Sequence, residues 1–133
     1  MPTTTLIDYD DAPPRVKAVY DDIRATRGTD FINNFWKALA NQPDTLERVW
    51  GQLREVMGPG TLDPLAKEMV YIAVSIANNC SYCVHSHTAS ARAKGMTEEQ
   101  YQELMAVIAM AHQTNALATG LQVPVDPEFL VGE

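Results

Sequence analysis

The run Asp63-Pro64-Leu65-Ala66-Lys67-Glu68-Met69-Val70-Tyr71-Ile72-Ala73-Val74-Ser75-Ile76-Ala77-Asn78-Asn79-Cys80-Ser81-Tyr82-Cys83-Val84-His85-Ser86-His87 reads as two helices separated by an Asn-Asn break. Asp63 is suited to cap a helix, and Pro64 sits where a first helical residue needs no N–H. The helix then runs from Leu65 to about Asn78. It is apolar around nearly its whole circumference, so it is expected to be buried on several sides or to lie at a subunit interface. Asn78-Asn79 offers a stop and a fresh N-cap. A second helix follows from Cys80 to Lys94, with Arg92 and Lys94 near its C-terminus and Gly95 as terminator.

The same punctuation extends in both directions. Upstream, a helix begins around Pro13-Pro14 and stops at Gly28, with Val16, Val19, Tyr20 and Ile23 as its apolar stripe. Asn33–Asn41 forms a short helix carrying Phe35, Trp36, Leu39 and Ala40. Pro43 opens Asp44–Met57, whose inward side is Leu46, Val49, Trp50, Leu53 and Val56, and Gly58-Pro59-Gly60 breaks the chain. Downstream, Thr97-Glu98-Glu99-Gln100 matches a capping box and opens a long helix to about Thr119. The tail Leu121–Glu133 is expected to be extended. Strand-like alternation is nearly absent, and no repeat, low-complexity tract or linker stands out. The fold class that follows is all-α: a single-domain helical bundle of about six helices spanning residues 1–133.

With 133 residues, 46% hydrophobic and 20% charged, the composition is that of an ordinary soluble domain with a real core. No stretch approaches the ~20 apolar residues that cross a bilayer. The N-terminus has no basic start followed by an apolar run, so the cytoplasm is the expected compartment and no membrane partner is expected. A net charge of −7, with ten scattered Lys and Arg residues, argues against a nucleic-acid partner, because phosphate binding needs a basic surface. Two cysteines three positions apart close too short a loop to serve as a structural staple. Catalysis, redox sensing or metal binding is the better use for them.

On a helix, Cys80, Cys83 and His87 fall at i, i+3 and i+7, along one stripe. Side chains at i and i+3 lie ~5–6 Å apart at Cβ, within reach of a disulfide. The positive end of the helix field favours thiolate. His87 is one turn from Cys83, where a neutral imidazole can take the thiol proton and an imidazolium can stabilise the thiolate. That proximity nominates Cys83 as the attacking thiolate and Cys80 as the thiol that resolves a sulfenic acid into the disulfide. Glu68 is an isolated acid followed by ten residues without another charge. Buried there it needs a partner. If the two helices fold back antiparallel, it can orient the imidazole and raise its basicity.

Other readings stand beside this one. Cys80, Cys83 and His87, with Glu68 or His85, also form a donor set for zinc, although structural zinc sites more often use two separated pairs. A redox-inert oligomeric scaffold is a third reading. His85 points away from the stripe, and His112 has no motif around it. Tyr20, Tyr71, Tyr101 and the six Met residues fit core packing, and Phe35, Trp36 and Trp50 are candidates to line a pocket. No βαβ pattern surrounds the CxxC, which disfavours a thioredoxin-type protein.

Glu68, eleven residues, Cys80-Ser81-Tyr82-Cys83, three residues, His87 resembles the signature of the alkylhydroperoxidase D-like group, within the carboxymuconolactone decarboxylase-like superfamily. The similarity covers about residues 35–118. It implies an all-α domain that assembles into a homo-oligomer, a trimer or hexamer, and a peroxidase cycle with no bound cofactor. In that cycle Cys83 attacks a small hydroperoxide, Cys80 resolves, and Glu68 and His87 relay the proton. An external dithiol, on a lipoyl-bearing or thioredoxin-like protein, recycles the disulfide. The decarboxylases of the superfamily lack the paired cysteines, so lactone chemistry fits less well. Tyr82 and His85 are auxiliary candidates. Tyr82 stands where the well-studied peroxidase of that group has a histidine, and it is a poor base at neutral pH, so a shorter relay and weaker peroxide turnover are expected.

Overall fold

The Gly58-Pro59-Gly60 break marks the boundary between two compact units, Met1–Gly60 and Thr61–Glu133. The computed structural model describes residues 1–132. Glycine is required at position 58: a Cβ there would lie 2.8 Å from the Arg54 carbonyl oxygen. Among the described residues the chain is all-α, as expected, with six α-helices, two short 3-10 turns and no strand.

The first unit holds a 3-10 turn at Tyr9–Asp11, then α1 (Pro14–Arg27), α2 (Asn34–Leu39) and α3 (Pro43–Met57). Pro14 and Pro43 occupy the helix starts that their missing N–H permits. Gly28 closes α1 in the left-handed conformation, φ 65°, which glycine adopts without a Cβ clash. The expected α1 stripe, Val16, Val19, Tyr20 and Ile23, is buried with Trp36, Leu46 and Trp50. Each such side chain removed from water contributes roughly 1.5–3 kcal/mol. Trp36 and Trp50 meet edge to face at 5.3 Å, and the Trp50 Nε1–H donates to Asp22 Oδ2 at 2.7 Å. Both indoles belong to this core, and Trp50 also borders a surface cavity between α1 and α3 with Val19, Asp22 and Gly51. Val56, expected inside, is exposed, and so is Phe35, a pocket-lining candidate. They lie at the edges of stripes narrower than apolar spacing alone implies.

The second unit contains α4 (Pro64–Ala77), α5 (Ser81–Ala93) and α6 (Glu98–Gly120), followed by a 3-10 turn at Pro127–Phe129. Asp63 caps α4 by accepting from the Leu65 and Ala66 N–H groups at 3.0 and 3.2 Å. Asn78 ends α4, and Asn79 turns the chain with φ 57°, a conformation that asparagine tolerates better than most residues. The cap of α5 is Cys80, not the Asn-Asn pair: its sulfur accepts the Cys83 N–H at 3.3 Å. Thr97 and Gln100 form the expected reciprocal capping box of α6.

Ile72, Ala91 and Met96 form the centre of this unit, with Leu65, Met69, Ile76, Tyr101, Leu104 and Met105 around them. Burial of α4 is one-sided within the chain. Glu68, Ile72 and Ser75 face inward, whereas Val70 and Val74 remain 59% and 53% exposed. From Ala109 onward α6 is exposed throughout. The tail after Leu121 is exposed and takes one 3-10 turn where extended chain was expected, and Glu133 lies outside the described residues. No helix among the described residues is long and apolar enough to cross a membrane.

Candidate active site

Glu68, in the second turn of α4, reaches Lys94, just past the end of α5, so the two helices run antiparallel. Glu68 is only 3% exposed, and among the described residues it is the only charged side chain buried so deeply. Each of its carboxylate oxygens has its own partner. His87 Nδ1 lies 2.7 Å from Oε2, and Lys94 Nζ donates to Oε1 at 2.7 Å. Burial pushes the Glu68 carboxyl up, but the hydrogen bonds from His87 and Lys94, with their charges, hold it below the ordinary value. Glu68 is therefore a carboxylate at neutral pH. As an acceptor at Nδ1 it fixes the tautomer in which Nδ1 carries the proton and Nε2 presents a lone pair.

The plane of the imidazole has a second constraint. Tyr71 stacks on His87 with ring centroids 3.6 Å apart and an interplanar angle of 19°. Tyr71 is one turn beyond Glu68 on α4, so a single helix face supplies both contacts to the ring. Core packing was the expected role of Tyr71, and the structure instead gives it this direct contact with the base.

Cys80 and Cys83 are joined in a disulfide, with Cα atoms 5.3 Å apart. Cys80 stands at the cap position of α5 and Cys83 in its first turn, where the positive end of the helix field favours negative charge on sulfur. Both are partly exposed. His87 follows Cys83 by one turn on the same helix, and its Nε2 has no hydrogen bond among the described residues.

The structure thus brings together the Glu68–His87 pair anticipated from the antiparallel arrangement, with the two cysteines on the same helix as His87. Tyr82 is 45% exposed, and His85 and His112 are exposed. Lys94 and Tyr71 are the members that sequence reasoning missed. The signal for Lys94 was its place seven residues after His87, on the same stripe as the cysteines. Among the described residues no group of three or more His, Cys, Asp or Glu side chains is placed to hold a metal ion.

The fold is shared with known proteins. The crystal structure of the alkylhydroperoxidase AhpD core from Rhodospirillum rubrum matches with a TM-score of 0.95 at 59% identity, covering 99% of each chain. Alkyl hydroperoxide reductase AhpD of Solibacter usitatus is 40% identical over 65 residues, 49% of this chain and 35% of that protein. Uncharacterized protein 4 in the cox locus of Paracoccus denitrificans is 34% identical over 70 residues, 47% of this chain and 63% of that protein. The chain thus spans less than two thirds of the length of either of these two relatives. Residues 43–126, more than half the chain, match the carboxymuconolactone decarboxylase family, and the chain belongs to that family.

Proposed function

We propose that the chain is a thiol-dependent alkyl hydroperoxidase. One observation carries this reading: a joined Cys80–Cys83 pair heads the same helix that, one turn on, holds a histidine tied to a buried carboxylate. In the reduced protein, His87 Nε2 accepts the Cys83 thiol proton. The thiolate attacks the terminal oxygen of ROOH, and the O–O bond breaks. The leaving alkoxide takes the proton from His87, giving ROH and a Cys83 sulfenic acid. Cys80 then attacks the Cys83 sulfur. The disulfide forms, hydroxide leaves and collects the Cys80 proton as water. An external dithiol, on a lipoyl-bearing or thioredoxin-like protein, returns both thiols by exchange and becomes a disulfide itself.

The Cys83 N–H bond to Cys80 sulfur has a place in that return step. It favours negative charge on Cys80, so Cys80 is the better leaving group when the external thiol attacks Cys83. The choice of Cys83 as peroxide nucleophile rests on its closeness to His87 along α5. A homo-oligomer, trimer or hexamer, is part of the same reading, supported by the exposed apolar side chains of α4 and α6.

The test is thiol titration with cumene hydroperoxide. Reduced protein should lose both thiols per peroxide reduced, without intermolecular crosslinks. Undiminished peroxide consumption by the Cys80→Ser/Cys83→Ser double variant would end the proposal.

A further inference from the structure

A carboxylate as deeply buried as Glu68 needs a positive partner or must be neutralised by a proton. Among the described residues two side chains pair with it: His87 of α5 at Oε2 and Lys94, the C-cap of α5, at Oε1, each at 2.7 Å. They are not equivalent sources of charge. A lysine of ordinary pKa, ~10.4, is charged over the whole range in which a histidine, near ~6.5, switches. The Lys94 side chain is 35% exposed, so its ammonium keeps part of its hydration while contacting the carboxylate. Its position at the end of α5 adds the favourable end of the helix field. Arg92, the other cation at this end, lies 3.5 Å from Glu98 and over the Tyr101 ring, and so is committed elsewhere.

We propose that Lys94 is a positioning residue: its ammonium on Glu68 Oε1 is the resident counter-ion of the buried carboxylate, which frees His87 on Oε2 to stay neutral and accept a proton. With Lys94 in place, the Glu68–Lys94 pair is electrically balanced, and the imidazole only has to donate its Nδ1–H. The Nε2 lone pair then remains available. Without Lys94, His87 is the one partner left to balance Glu68. The protein would hold the ring as imidazolium, whose Nε2 carries a proton and cannot take another. A second positive charge across the same carboxylate also opposes protonation of the ring while Lys94 is present. The lowered Glu68 carboxyl is consistent with two donors rather than one. What the freed lone pair is used for rests on the peroxidase reading; the charge arrangement does not.

The experiment uses the reduced full chain as wild type, Lys94→Met, Lys94→Gln and Lys94→Arg. The His87 ring-proton signals are followed by NMR against pH and assigned by difference from His87→Asn. The titration midpoint of the ring should rise by about one pH unit in Lys94→Met and Lys94→Gln, the size of shift one neighbouring charge produces. It should return to within a few tenths of wild type in Lys94→Arg. The acid limb of hydroperoxide consumption should move in the same direction by the same amount. Lys94→Gln keeps a hydrogen-bond donor without charge, so it separates charge from contact and still reports if Lys94→Met does not fold. An unchanged midpoint in both neutral variants overturns the proposal. A moving midpoint without any peroxide turnover leaves it standing and overturns the peroxidase reading instead.

Discussion

Tyr71 and His87 lie face to face, ring centroids 3.6 Å apart, while the neighbouring turn of α4 holds the ring edge through Glu68. Stacking fixes the plane of the imidazole, and the Glu68 bond fixes its rotation within that plane. Together they aim Nε2 without help from solvent. Tyr71→Phe retains the stacking face and should behave as wild type. Tyr71→Ala removes it. Hydroperoxide turnover should then fall about tenfold, as expected for a small misplacement of a base. Stability should drop by roughly 1–2 kcal/mol for loss of a half-buried aromatic contact. Steady-state kinetics beside urea unfolding separates the two effects, and equal losses in the Phe and Ala variants would deny the stack its role.

The two cysteines should respond differently to replacement. Cys80→Ser leaves Cys83 able to attack once but unable to close the disulfide. It should give a single turnover and a sulfenic acid that dimedone traps on Cys83. Cys83→Ser should reduce turnover by about a thousandfold or more, the scale of losing a nucleophile. Mass spectrometry of dimedone-treated protein locates the adduct. An adduct on Cys80 in the Cys83→Ser variant, with turnover retained, would reverse the assignment.

Glu68 makes stability depend on pH in a defined direction. Its carboxyl is held below the ordinary value of 4.5 in the folded chain, chiefly by His87 and Lys94 against the cost of burial. The unfolded state therefore binds the proton more readily, and stability rises with pH through that region. Above 4.5 the contribution is fully present; as pH falls from there through the lower folded value it is lost. Urea unfolding between pH 7 and pH 3 should show this loss, and Glu68→Gln should flatten it while lowering stability at pH 7. A variant with the same slope as wild type would place the acid sensitivity elsewhere.

Much of this was legible in the residues, and what was not has identifiable causes. Caps and breakers placed the helices within a residue or two, because Asp63-Pro64, Thr97–Gln100 and the Gly58-Pro59-Gly60 break each satisfy or deny backbone groups locally. The Glu68–His87 pair was only conditional in the sequence. It depends on the register of α4 against α5, which the left-handed turn at Asn79 sets and which neither helix pattern contains. Lys94 lay on the visible stripe but read as an ordinary C-terminal cation. Only the partner helix shows that a buried acid stands opposite it. Cys80 read as a helical residue, whereas its sulfur serves as the cap. An all-apolar α4 indicated burial without saying against what, and Val70 and Val74 remain uncovered within the chain.

A longer exposed row runs along α6 to its C-cap, Leu121. Val107, Met110, Thr114, Leu117 and Leu121 follow one another by alternating steps of three and four, which places them on one face of the helix. The four apolar members are each more than half exposed. An exposed apolar row of this length is costly to leave in water. A second copy of this chain is the partner that the proposed oligomer supplies. Size-exclusion chromatography with light scattering should therefore give a mass that is a multiple of 14.7 kDa. Leu117→Glu, which places a charge in the middle of the row, should shift that mass toward the monomer, because an unpaired charge inside an apolar contact costs several kcal/mol. Helix content by circular dichroism should remain at the wild-type level, since Leu117 is 55% exposed. A wild-type protein that elutes as a monomer at tens of micromolar, or a Leu117→Glu variant of unchanged mass, would remove this face from the interface.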